Sequence, residues 1–528
     1  MTLALCVVLA AIVVAVLVAG ASPGPASLPA PAHRVGLESI FEDETLLHEN
    51  PAATLDTLRR LGVDRVRVYV PWATFAPDPS SSRPPSGFNA ADPAAYPQSY
   101  WAIYDTIVRD AAARGMGLDF TVGAPPPLWA RGPGDPGHPV HPQWRPSAPD
   151  FGAFMRALGT RYSGSYRPVG AATPLPHVGF WSIWNEPNLG PDIAPQTIDD
   201  SKIEVSPTLY RNLLDAAWAA LQATGHTRDT VLFGETAPAG ESIDGPGEYR
   251  NMVPLRFLRA LYCVDSAFRP LRGVAAAQRG CPTDAAGSAR FRSQNPALFE
   301  AGGFADHPYS QGLPPNEATP DEPDYAELAA LPKLERTLDT LVRVYGSTTR
   351  FPIYSTEFGY QTNPPDVESG TVSPTLAAKY LNWAEYLSWR DPRVKSYDQY
   401  LLVDPASGDF ATGLEAANGT PMPGLYAYRM PIYLPVTSTT QGSPLEVWGL
   451  ARPARNVRLT DHRPQHVRIQ FKPASGGSFS TVSTVTLTDP YGYFDVFQKF
   501  PASGSVRLSW SYPHGPAIFS RTVAVNLH

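Results

Sequence analysis

Between residue 34 and about residue 430 the sequence repeats one pattern. A short run rich in β-branched and aromatic residues is followed by a stretch with apolar residues at helical spacing. "RVGLESIF" precedes the helical "PAATLDTLRRLG", "VDRVRVYVPW" precedes "SYWAIYDTIVRDAAARG", and "GLDFTVGA" precedes "DFGAFMRALGTRY". "HVGFWSIWN", "TVLFGE", "GGFADHPYS", "FPIYSTEFG" and "VKSYDQYLLVD" continue the series, the last followed by a short helix near "PMPGLYAYRM". Eight strand–helix units over about 400 residues predict an α/β chain closed into a (β/α)8 TIM barrel with enlarged loops. A doubly wound open sheet is the competing topology, but it has fewer units, and no glycine-rich phosphate turn follows the first strand.

After about residue 436 the texture changes. "PLEVWGLARP", "NVRLT", "HVRIQFKP", "STVTLTDPYGYFDVFQKF", "GSVRLSWSYP" and "RTVAVNL" are short alternating runs split by Gly, Pro and Asp turns. They predict a small C-terminal antiparallel β-sandwich. At the other end, residues 2–19 are uncharged and apolar, and a Pro/Ala-rich stretch leads to the first basic side chain, Arg34. Ala19-Gly20-Ala21 fits the small-x-small rule of signal peptidase, so export with cleavage after Ala21 is expected. Because the positive n-region is missing, an uncleaved membrane anchor is the alternative, and only that form would engage a membrane. The expected organisation is a leader and linker over 1–33, a barrel over 34–435 and a sandwich over 436–528.

Cys6 lies in the leader, which leaves Cys263 and Cys281. Outside the cytosol, two cysteines closing a short loop predict a disulfide, with free buried thiols as the alternative. The net charge of −7 gives no electrostatic case for nucleic acid. No cluster of His and Cys has metal-ligand spacing, so neither a metal nor another cofactor is expected.

The reactive residues of such a barrel sit where its strands run out at the C-terminal face. Glu186, in "FWSIWNEPNLG", ends the fourth strand, and Glu357, in "FPIYSTEFGYQ", ends the seventh. Two carboxyls facing each other across a cleft can cleave a glycosidic bond, one protonating the leaving oxygen and the other attacking the anomeric carbon. A separation of about 5–5.5 Å would imply a covalent intermediate and retained configuration.

"WNEPN" on one strand and "TEFG" three strands later resemble the signatures of the clan A glycoside hydrolases, the retaining 4/7 superfamily, most closely family 39 and next family 5. The resemblance covers roughly residues 35–430. It implies that Glu186 is the acid/base, Glu357 the nucleophile, and Asn185 the residue that hydrogen-bonds the 2-hydroxyl of the sugar. By the same implication Arg67, five residues before Trp72 in "VRVYVPW", holds the nucleophile ionised, and Trp72 is counted with it among the substrate-binding residues. His307 and Tyr309 in "HPYS" would lie near the nucleophile, and Trp129 in "PPPLWA" would stack on sugar. Each position also has a plainer explanation. Arg67 would serve a structural ion pair, His307 and Tyr309 would pack a turn, and Trp129 and Trp144 would cover core. Glu235, Asp398 and Gln399 stand at strand ends and are assigned no role. The expected activity is retaining hydrolysis of plant or microbial oligo- or polysaccharides, with exo-action on xylose- or arabinose-type units as the finer expectation. An endo-acting glucanase or mannanase, a transglycosylase and a non-catalytic carbohydrate-binding barrel are the rivals.

Overall fold

The computed structural model describes residues 36–134, 143–198, 202–241, 249–513 and 515–528. The leader, the linker and Cys6 lie outside them. Eight parallel strands close into a barrel in chain order: β1 (Glu38–Glu42), β2 (Arg65–Pro71), β3 (Gly117–Gly123), β4 (Phe180–Ile183), β5 (Thr230–Thr236), β6 (Gly303–Asp306), β7 (Ile353–Ser355) and β8 (Val394–Tyr400). Pairing of β1 with β8, from Glu38 opposite Ser396 to Glu42 opposite Tyr400, completes the ring. This is the TIM barrel that the alternating pattern predicts.

The two-residue period of a strand explains why a barrel that reads as apolar has a polar interior. In β2, Val66, Val68 and Val70 belong to the hydrophobic core. Arg67, between them, is 1% exposed and reaches across the barrel to carboxylates on other strands. Ser182 and Asp119 hydrogen-bond at 3.1 Å inside, and Thr236 donates to Asp306 at 2.9 Å.

Local signals set the helix limits. The helix Pro51–Leu61 begins with Asn50 accepting the N–H of Ala53 and Pro51 in the first turn, and it stops at Gly62, whose φ is 92°. Between β5 and β6 the sequence shows one helix, Pro254–Leu261. The structure adds Gly273–Ala277, Ala285–Gln294 and Ala297–Glu300, the last two too short or too weakly amphipathic to announce themselves. The Cys263–Cys281 disulfide closes the loop that carries the first of these, Gly273–Ala277.

The C-terminal strands form two sheets. One has the order β10-β17-β15-β12-β13, with β16 beside β15, and the other the order β14-β11-β9. The strands are β9 (Ile432–Tyr433), β10 (Ser438–Thr439), β11 (Leu445–Leu450), β12 (His466–Pro473), β13 (Ser480–Thr486), β14 (Tyr493–Gln498), β15 (Gly504–Ser511), β16 (Ala517–Phe519) and β17 (Val523–Leu527). Pairing is antiparallel except between β10 and β17. Val447, Ile469, Leu508 and Val525 meet in one core between the sheets. The first of these strands, β9, begins before residue 436; flanked by prolines and only two residues long, it carries no readable alternation.

"NVRLT" is a second correction. It forms the helix Ala454–Asp461 instead of a strand, because it docks on the barrel. Arg455 pairs with Asp64 at 2.8 Å, and Asn456 donates to the Arg59 carbonyl at 2.8 Å. Arg452 is bidentate to Glu385 of the barrel helix Pro374–Arg390, at 2.8 Å to each oxygen. Through such contacts Arg34–His528 is one compact unit.

Candidate active site

At the C-terminal ends of the strands lies a cleft of about 950 Å³, with Asn185, Glu186 and Glu357 in its floor. The chain reaches it from β4 through an unusual turn. Trp184 and Glu186 have φ of 71° and 37°, and Glu235 near the end of β5 has 49°. Left-handed backbone at non-glycine residues costs on the order of 1–3 kcal/mol and gathers at functional sites. Here it is held by hydrogen bonds: Trp184 N–H to the Val122 carbonyl at 2.8 Å, and Glu186 N–H to that of Glu235 at 2.9 Å.

Arg67 is the hub. It donates to Glu357 Oε1 and Glu235 Oε2 at 2.7 Å each and to Asn185 Oδ1 at 2.8 Å, and it contacts Glu42 at the end of β1. His307, fully buried, sits at 2.9 Å from both Glu186 Oε1 and Glu235 Oε2, and at 3.5 Å from Glu357 Oε2. Tyr309 donates to Glu357 Oε2 at 3.2 Å. Asn185 passes its amide hydrogen to Asp192 Oδ1 at 3.1 Å. One carboxylate oxygen each of Glu186 and Glu357 and a ring nitrogen of His307 all lie within 4.8 Å of one another.

The electrostatics follow from burying two cations among four carboxyls. Burial disfavours the charged form of His307, but the Glu357 carboxylate and the hydrogen bonds to Glu186 and Glu235 outweigh it and lift its pKa well above the ordinary range. An imidazolium with both N–H groups on carboxylates has no lone pair for a metal. Burial opposes the charge of Arg67 too, and Glu42, Glu235 and Glu357 restore it. Glu235, which burial alone would raise, is pulled down to about 2 by Arg67 and His307. Glu42 is pushed up to about 8, since its burial exceeds the pull of Arg67 and Glu357 adds repulsion. Burial likewise raises Glu186, partly offset by His307 and reinforced by the Glu357 charge. Two cations cannot balance four buried anions, and Glu42 and Glu186 are the groups driven towards the neutral form.

The structure therefore brings Arg67, Asn185, Glu186, His307, Tyr309 and Glu357 into one network. It does not bring Trp72 or Trp129 there. Trp72 is fully buried, packed against Trp129, Phe151 and Phe154, and has no face to offer a ligand. Trp129 is half-buried, bonded to the Pro77 carbonyl at 3.1 Å, and is not among the residues lining the cleft. Trp144, bonded to the Pro133 carbonyl, is also core. The aromatic walls of the cleft are Tyr309, Tyr325, Tyr360, Tyr400 and Phe410, the last 39% exposed. Sequence reasoning passed over Phe410, in a Gly/Asp loop without pattern, and over Glu42. It noticed Glu235 without giving it a role, although its place at a strand end, like that of Glu186, was the available signal.

No protein-family model matches the sequence, and no curated protein matches it. Among solved structures, the chain is similar to a family 39 glycoside hydrolase from the gut symbiont Bacteroides cellulosilyticus WH2, with 12% identity, 88% of this chain and 79% of that chain covered, and a TM-score of 0.46. It is also similar to the endo-beta-1,4-mannanase from Thermotoga petrophila (10% identity, 94% and 98% covered, TM-score 0.38). A third is the family 1 b-glucosidase from Thermotoga maritima (14% identity, 70% and 81% covered, TM-score 0.42). Likeness at this level does not carry chemistry across, and the functional reading stands on the geometry of the cleft.

Proposed function

We propose that this protein is a retaining glycoside hydrolase acting by double displacement, with Glu357 as nucleophile and Glu186 as acid/base. One observation carries the reading: two carboxyls at the ends of β4 and β7 whose oxygens lie within 4.8 Å, each in a different environment. That spacing suits direct attack by one carboxylate and falls short of the roughly 6.5–9.5 Å over which an inverting pair seats a water opposite the leaving group.

In the first step a Glu357 oxygen bonds to the anomeric carbon while the glycosidic oxygen takes the proton of Glu186 and leaves. Arg67 and Tyr309 orient the attacking carboxylate by donating to its two oxygens. In the second step Glu186 removes a proton from water, the water oxygen bonds to the anomeric carbon, and the ester to Glu357 breaks. The Glu357 charge is one of the causes that raise Glu186. Esterification removes that charge, so Glu186 more readily becomes the base that the second step needs.

The substrate is an oligo- or polysaccharide, and the finer reading is exo-action on xylose- or arabinose-type units, supported by the resemblance to family 39 and by loops after β5, β6 and β7 that wall the cleft. Export belongs to the same reading, supported by a disulfide between the two cysteines beyond the leader.

The test is nitrophenol release from a panel of xyloside, glucoside, galactoside, mannoside and arabinoside substrates. Glu357→Ala is expected to lose turnover by on the order of 10⁴-fold or more. Glu186→Ala is expected to keep much of its rate on aryl glycosides whose leaving groups need no proton, and to lose it on unactivated oligosaccharides. Equal losses on both substrate kinds would remove Glu186 from the acid role. Silence on the panel with cleavage of long polysaccharides would replace exo-action by endo-action.

A further inference from the structure

A second cluster lies at the opposite end of the barrel. His177 stands just before β4, and His226 and Asp229 just before β5. His226 Nδ1 is 2.6 Å and His177 Nε2 2.9 Å from the same oxygen, Asp229 Oδ2, and the three donor atoms lie within 4.8 Å of one another. The rings of the two histidines stack at 5.0 Å and 16°. His226 is fully buried, with the edge of Trp181 against it at 5.1 Å, whereas the side chain of His177 is 39% exposed.

The remaining nitrogen of His226 is decisive. Its Nε2 is 2.8 Å from the carbonyl oxygen of Gly159, which can only accept, so Nε2 carries hydrogen. With Nε2 tied to that carbonyl, Nδ1 is the ring atom that faces Asp229 Oδ2, on the side where His177 Nε2 also converges. An imidazole whose far N–H is fixed by a backbone carbonyl is also the arrangement that orients metal-binding histidines. Space is present on the solvent side. A Cβ on Gly179 would lie 3.4 Å from His177 Nε2 and 3.5 Å from Asp229 Oδ1, so the glycine leaves that flank open. A pocket of about 230 Å³, lined by His177 and Gly179, gives access.

We propose that His177, His226 and Asp229 bind one divalent transition-metal ion, with zinc the best match to two imidazole nitrogens and one carboxylate oxygen, a water completing the shell. With tetrahedral bonds of about 2.0–2.2 Å, the Nδ1–Oδ2 separation opens to about 3.4 Å. The ion would clamp the chain entering β4 to the chain entering β5, the strands that lead to Glu186 and Glu235. It lies at the face of the barrel where conserved features serve stability and not chemistry. The inference is independent of the proposed glycosidase activity.

The test uses the full, untagged chain, stripped with chelator and titrated calorimetrically with zinc chloride, with cobalt(II) as an optical probe. The expected result is one tight site per chain, the visible bands of four-coordinate cobalt, and a melting temperature that rises by a few degrees on saturation. His177→Ala and Asp229→Asn are each expected to weaken zinc by on the order of 100-fold, while Glu357→Gln, which alters the carboxylates at the cleft, leaves it unchanged. Because His177 is half-exposed, its alanine variant decides the matter if Asp229→Asn fails to fold. No tight site, or a site undiminished in His177→Ala, would overturn the proposal and leave a His–Asp–His cluster held by a proton.

Discussion

Glu186 is raised by burial and by the Glu357 charge, and His307 holds it by one hydrogen bond. The sign of the pH effect follows. The acid is competent while protonated, so kcat/KM on unactivated substrates is expected to fall as pH rises through the raised Glu186 pKa. That alkaline limb is expected to vanish in Glu186→Ala assayed on activated aryl glycosides, and a limb that persists there would belong to another group. Tyr309 makes a single, long hydrogen bond to Glu357, so Tyr309→Phe is expected to lower kcat/KM by about 10-fold, measured with the melting temperature as a folding control. Arg67 is different in kind. It serves Glu42, Glu235, Glu357 and Asn185 at once, so its loss would strip a buried cluster of its main cation.

At the scale of elements, strand ends and helix ends do the positioning. β4 and β7 contribute few residues each, yet they carry the two carboxyls to one rim because every barrel strand is parallel. Gly62 shows how a helix end couples to the rest. It stops Pro51–Leu61 with φ of 92°, and a Cβ there would stand 2.4 Å from the Arg452 carbonyl of the C-terminal segment. Gly62→Ala is therefore expected to destabilise by about 1–3 kcal/mol in denaturant unfolding, more than a helix-end strain alone, because backbone must also shift. A cost no larger than at Gly115, which has the same handedness and ends Gln98–Arg114 with only the tip of Arg59 nearby, would show that the docking yields easily.

Across the whole molecule, the barrel and the sheets are joined by a buried charge pair. Arg452, 2% exposed, is bidentate to Glu385, which also accepts from Tyr493 at 2.6 Å, while Trp389, Trp448 and Tyr493 pack around it. Glu385→Ala would leave the guanidinium buried without its partner. The expected loss is about 3–5 kcal/mol in global unfolding, which calorimetry would read as a lower single transition. Two separated transitions in the wild type would show instead that the modules unfold independently.

The residue order alone determined the repeating strand–helix units, the shift to short strands near the C-terminus and the positions of Glu186 and Glu357 at strand ends, and it favoured a bond between Cys263 and Cys281 over free thiols. All of these are local patterns, set by side-chain periodicity, by turn residues and by chain proximity. Tertiary structure decided what each strand end faces. Arg67 became a four-way hub, and Glu42 and Glu235 joined it, because register around the closed barrel brings β1, β2, β5 and β7 together, and no window of sequence encodes that register. The same holds for Trp72 and Trp129, whose sequence context suits a sugar platform but whose side chains turn into the packing between barrel and helices. It holds again for "NVRLT", where contacts with Asp64 and Arg59 override its alternation. His177 is distant in the chain from the neighbours His226 and Asp229, and meets them only because adjacent parallel strands begin side by side.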